Sequence, residues 1–89
     1  LARRRVSRRV NWSDDAERNR DRLDRKMRGR ILKAVERLAE SGLGNVRRLT
    51  NEDADFRLRV GRWRIFFDYR ADGSMYIVDV RPRGGAYGR

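Results

Sequence analysis

The stretch FRLRVGRWRIFF, residues 56–67, sets Arg57, Arg59, Arg62 and Arg64 among apolar residues at nearly every second position, and VRPRGGAY brings Arg81 and Arg83 close to Tyr87. A guanidinium group forks onto two phosphate oxygens at once and stays charged at any physiological pH. Several of them beside an aromatic ring can clamp a phosphate and stack an unpaired base. The chain has no histidine and no cysteine, and its carboxylates show no convincing spacing for a metal site or an acid-base pair. No metal and no cofactor is therefore expected. What remains is electrostatic chemistry on an anion.

Such a cluster needs a scaffold that turns its arginines the same way. Successive side chains of a strand point to opposite faces. Phe56, Leu58 and Val60 alternate with Arg57 and Arg59, and after a turn at Gly61 and Arg62, residues Trp63, Ile65, Phe67 and Tyr69 alternate with Arg64, Phe66 and Asp68. This reads as a hairpin. Asp72-Gly73 marks the next turn, and SMYIVDV reads as a third strand with Tyr76, Val78 and Val80 on the apolar face and Met75, Ile77 and Asp79 opposite.

Upstream, Ser13 is a helix cap followed by Asp14, Asp15 and Glu17, with the first helix expected to end near Asp24. Met27, Ile31, Ala34, Val35, Leu38 and Ala39 recur at three and four residues, and Gly42 stops that second helix. The expected fold class is α+β, a small antiparallel sheet of three or four strands with an N-terminal helical hairpin packed on one face. Arg57, Arg59, Arg64, Arg81 and Arg83 then gather on the face that no helix covers. Like charges on neighbouring strands cost about 0.2–1 kcal/mol per pair, so an anionic ligand is expected there. The plainer alternative has each arginine reaching solvent or pairing with Asp55, Asp68 or Asp79.

Residues 1–9, LARRRVSRR, hold five arginines and are set apart as a basic segment expected to be disordered, although Val6 to Trp12 can also pair as a strand. Residues 10–89 are read as one domain with a small core. The 24 lysine-plus-arginine residues, all but Lys26 and Lys33 arginine, face 13 acids for a net charge of +11. Codon usage explains arginine in place of lysine, but the excess of positive charge points to a polyanion. No apolar run approaches the roughly 18 residues of a membrane span, so a cytoplasmic protein without membrane contact is expected.

In this order of elements, the segments AVERLAESGLGNVRRLT, DFRLRVGRWRIFFDY and YIVDVRPRGGAY resemble the RelE/ParE superfamily of bacterial and archaeal toxins. The resemblance is closest to its RelE-like mRNA interferase branch and covers roughly Val10 to Tyr87. Its most specific part is the run from Leu58 to Phe67, followed by the arginine and tyrosine near the end. It implies a type II toxin that cuts mRNA in the ribosomal A site and is silenced by a cognate protein antitoxin in a hetero-oligomer. By the same resemblance, Arg57 and Arg59 match two basic residues that alternate on one strand, and Arg64 matches the arginine of the next. Arg83, with Arg81 as its near alternative, matches the arginine after the last strand, and Tyr87 the tyrosine that stacks on the target base. These five, Arg57, Arg59, Arg64, Arg83 and Tyr87, are the candidate catalytic residues, with Arg62 and Arg81 as further RNA contacts.

The best-studied family pattern carries lysines where Arg57 and Arg59 stand. Arginine is the poorer proton acceptor. The expected mechanism is therefore to hold the scissile phosphate, align the ribose 2'-OH and stabilise transition-state charge, leaving a 2',3'-cyclic phosphate and a 5'-OH. Two rival readings use the same surface: a ParE-like inhibitor of DNA gyrase, and a module that grips nucleic acid without cutting it.

Overall fold

Both helices begin on a side-chain oxygen. In the computed structural model, which describes residues 7–50 and 52–85, the Ala16 N–H donates to Ser13 Oγ at 3.0 Å and opens α1, Asp14–Asp21. The Met27 N–H donates to Asp24 Oδ1 at 2.7 Å and opens α2, Arg25–Ser41. Each cap satisfies a donor that the first turn leaves free. Gly42 closes α2 in the left-handed region at φ 76°, where a Cβ is strained, and its N–H donates to the Leu38 carbonyl. The first helix ends sooner than its sequence suggests because Asp24 caps the second one.

Five strands form one mixed sheet: β1 Val10–Trp12, β2 Val46–Arg48, β3 Phe56–Val60, β4 Trp63–Tyr69 and β5 Met75–Pro82, in the order β1-β5-β4-β3-β2. This corrects the expected antiparallel sheet of three or four strands. β1 pairs with β5 in parallel, and β2 adds an antiparallel edge to β3. Both additions are only three residues long, and every residue of β2 is exposed, so no buried face writes an alternation into its sequence. Just ahead of β1, the Arg8 N–H donates to the Ala39 carbonyl and the Met75 N–H to the Arg9 carbonyl. Val6, the other end of the expected first strand, lies outside the described residues.

A single cluster of buried side chains joins the layers. Ala16 comes from α1, Ile31, Val35, Leu38 and Ala39 from α2, and Leu58, Ile65, Phe67, Met75, Ile77 and Val80 from the sheet. α1 lies against β5 and β1, and α2 against β3. One expectation about this core is corrected: β5 buries Met75, Ile77 and Val80, whereas Tyr76 and Val78 stay half-buried. The cause is a β-bulge. Phe66 pairs with Asp79 but Phe67 pairs with Ile77, so Val78 has no partner on β4 and the alternation changes phase there. Tyr69 is also more exposed than expected, packing its ring on Phe56 and Phe67 at the rim of the core.

Candidate nucleic-acid interface

Strand pairing decides which arginines meet. Arg59 on β3 stands directly opposite Arg64 on β4, which stands opposite Arg81 on β5, so three guanidinium-bearing residues cross the sheet in one row. The neighbouring row runs Arg47, Arg57, Phe66 and Asp79. Directly opposed residues place their Cβ atoms about 4.5–5.5 Å apart. The core residues Leu58, Ile65, Phe67 and Val80 alternate with these positions and point the other way. Arg47 joins the cluster only because β2 forms; the visible signal was NVRRLT, two arginines between apolar residues.

Arg83 reaches the same region by a different route. It begins a short 3-10 turn, Arg83–Gly85, after β5, and its N–H donates to the Arg62 carbonyl at 2.6 Å. That bond fastens the segment after the sheet to the turn between β3 and β4. Arg62 itself is exposed in that turn, with Gly61 before it at φ 59°. Arg64 bends back over the turn, its Nη1 donating to the carbonyls of Gly61 at 3.0 Å and Trp63 at 3.1 Å.

The electrostatics follow from this crowding. Partial desolvation, and then the charges of Arg57, Arg59 and Arg83, lower the pKa of Arg64 from its ordinary value. Arg64 therefore feels three neighbouring cations at once. Among the described residues, Arg57, Arg59, Arg64 and Arg83 form no ion pair with a carboxylate. Arg57 Nε is a buried donor with no hydrogen-bond partner. An orphaned buried donor costs about 1–3 kcal/mol.

Arg81 behaves differently. Its Nε donates to Asp79 Oδ2 at 2.8 Å, and its guanidinium lies 5.1 Å from the Phe66 ring centroid. Asp79 is buried and accepts a second bond from Asn19 Nδ2 at 2.7 Å, so α1 anchors the carboxylate that holds Arg81. Asp68, another acid considered as a partner, instead accepts from the Asp55 backbone N–H at 2.7 Å. Tyr87 lies outside the described residues. Among the described residues, no group of three or more acids could hold a metal ion, and no helix is long and apolar enough to cross a membrane.

The sequence model of the ParE toxin of type II toxin-antitoxin systems, parDE, matches residues 10–87. The chain belongs to this toxin family. No curated protein sequence matches it significantly. The fold of this ParE-family chain is similar to solved toxin-antitoxin structures. One is the RelBE2 complex of Mycobacterium tuberculosis, with a TM-score of 0.75 and 20% identity over 88% of this chain and 93% of that one. Another is the archaeal RelE-RelB complex of Pyrococcus horikoshii, with a TM-score of 0.74 and 22% identity over 90% and 99%. The RelB-RelE complex of Methanococcus jannaschii gives a TM-score of 0.69 and 19% identity over 89% and 96%. At these identities the likeness is one of fold. The family is thus named for ParE while the similar structures are RelE complexes, so residues must separate the two chemistries.

Proposed function

We propose that this toxin is a RelE-like endonuclease that cleaves mRNA on the ribosome and so stops translation. The observation that carries the reading is the meeting of Arg59 and Arg64 on paired strands, with Arg57 and Arg83 within electrostatic reach and no carboxylate bound to any of the four among the described residues. A charged surface without counter-ions is complementary to a phosphodiester. Arg57, Arg59, Arg64 and Arg83 hold the phosphate and Tyr87 stacks on a base. The ribose 2'-oxygen attacks phosphorus as the bond to the 5'-oxygen breaks, and the guanidinium groups stabilise the added negative charge. The proton leaves the 2'-OH and the 5'-oxygen gains one, giving a 2',3'-cyclic phosphate and a 5'-OH. No arginine takes that proton, since guanidinium groups do not titrate in this range. Water or ribosomal RNA relays it, and the reaction is confined to the cytoplasm by its ribosomal substrate.

A protein antitoxin is the expected partner, in keeping with the family's type II systems and with the complexes of similar fold. The family match itself favours one other reading, inhibition of DNA gyrase, in which the cationic face docks on protein or DNA and breaks no RNA bond. Two assays on the purified toxin decide between them. Cuts mapped on programmed ribosomes, lost in Arg64→Ala, support cleavage. Blocked supercoiling by gyrase with intact mRNA overturns it.

A further inference from the structure

The open face of the sheet carries a second feature, at the opposite end of β5 from the arginine row. The bulge at Val78 turns Tyr76 away from the core, opposite Asp68 on β4 and beside Asn11 on β1. The Arg70 guanidinium lies 4.0 Å from the Tyr76 ring centroid, within cation-π range. The turn that delivers Arg70 is tightly bonded. Asp72 Oδ1 accepts from the Ser74 N–H at 2.9 Å and its hydroxyl at 2.7 Å, and the Arg70 N–H donates to the Ser74 carbonyl. Asn11, Arg70, Ala71, Asp72, Ser74 and Tyr76 line an open cavity of about 520 Å³.

One wall of this cavity is an aromatic ring paired with a planar cation, and its rim carries an amide and a carboxylate. We propose that the cavity is a subsite for one base of single-stranded RNA, which stacks on the Tyr76–Arg70 pair while Asn11 and Asp72 read its edge. Bases of unpaired RNA stack on aromatic rings and on guanidinium planes alike. The Ser74 hydroxyl and N–H, followed by the charges of Arg9 and Arg70, hold the Asp72 carboxyl below its usual value, so it is ionised at neutral pH and only accepts hydrogen bonds. A carboxylate pairs with an exocyclic amino group, which adenine, cytosine and guanine carry and uracil lacks. The subsite therefore discriminates against uracil.

Its distance from the arginines suits a single strand lying across the sheet. Asp68, the partner of Tyr76, is four residues along β4 from Arg64, or roughly 13 Å at strand spacing. Phe66, under Arg81, lies between them. The phosphate grip and the base reader are thus separate parts of one surface. This inference deepens the RNA reading and rests on it.

The test uses a short single-stranded RNA whose ribose hydroxyls are all methylated, so that it binds without being cut. Replacing each base in turn by an abasic site, with binding read by fluorescence anisotropy, should reveal a position where losing the base weakens binding about tenfold or more. Uracil at that position should bind more weakly than adenine or cytosine. In Tyr76→Leu, the scan should become flat at that position while phosphate-driven binding persists. Arg70→Gln, at an exposed residue, provides the same comparison should the leucine variant not fold. A flat wild-type scan, or one in which every sensitive position survives both substitutions, overturns the subsite. A sensitive position with uncut ribosomes sinks cleavage and leaves the subsite standing. Cut ribosomes with a flat scan, or with no binding of the free strand, do the reverse, and uncut ribosomes with no binding end both.

Discussion

At the scale of single residues, the cationic face is a balance between repulsion and readiness. Arg59 and Arg64 oppose each other directly and Arg57 Nε has no partner, two costs built into this face of the sheet. Arg64→Ala or Arg59→Ala should lower cleavage by about 100-fold or more while the melting temperature holds, since neither side chain lies in the buried cluster. Arg57→Met should do the opposite to the fold. Removing one charge and one orphaned donor should stabilise it by about 1 kcal/mol, read by chemical denaturation, while RNA binding weakens. A different residue, Asp72, carries a pH dependence. Because the Asp72 carboxyl is held below its unfolded value, the unfolded chain takes up this proton first as pH falls. Its contribution is complete above the ordinary carboxylate range and is lost as pH falls below about 4. Asp72→Asn should flatten that acid limb of the melting temperature. The alternation around Arg57, Arg59 and Arg64 was legible in the sequence because one face of that hairpin is apolar. The Asp79–Arg81 bond was visible only as one of several possible pairings, since nothing in the local spacing brings Asn19 of α1 to the same carboxylate.

At the scale of elements, the sequence specifies β3, β4 and α2 well and β5 poorly. In β3 and β4 only one alternation is apolar throughout. In SMYIVDV both alternations are apolar, Met75 and Ile77 on one and Tyr76 and Val78 on the other, so periodicity alone could not choose. Pairing with β4 chose, by leaving Val78 unopposed. Ser13 supports that irregularity from outside the sheet: its hydroxyl, already capping α1, donates to the Val78 carbonyl at 2.7 Å. Phe67 borders the phase change and is fully buried between Phe56 and Tyr69. Phe67→Ala should destabilise by about 3–5 kcal/mol, and a loss below 1 kcal/mol in denaturant titrations would contradict its place in the core. β2 escaped the sequence, and β1 was legible only as one possible strand within Val6 to Trp12, for the opposite reason: a strand of three residues at a sheet edge carries too few side chains to write a period.

At the scale of the whole molecule, a net charge of +11 sets the terms of association. Binding of single strands weakens with salt by about 0.7 logarithmic units of affinity per tenfold rise for each phosphate neutralised. Four arginines engaging four phosphates should give a slope near −3, and Arg64→Gln should reduce its steepness by about 0.7. An unchanged slope would remove Arg64 from the contact. The topology adds a constraint of order in time. β5 is the last strand to be synthesised, yet it lies between the first strand and the fourth, and Arg81 and Arg83 come with it or after it. A nascent chain that has exposed β3 and β4 still lacks the segment that closes the sheet and completes the cationic row. A chain cut short before β5 therefore lacks both the strand that joins β1 to β4 and the two arginines, Arg81 and Arg83, so the fold and the full cationic face are completed together.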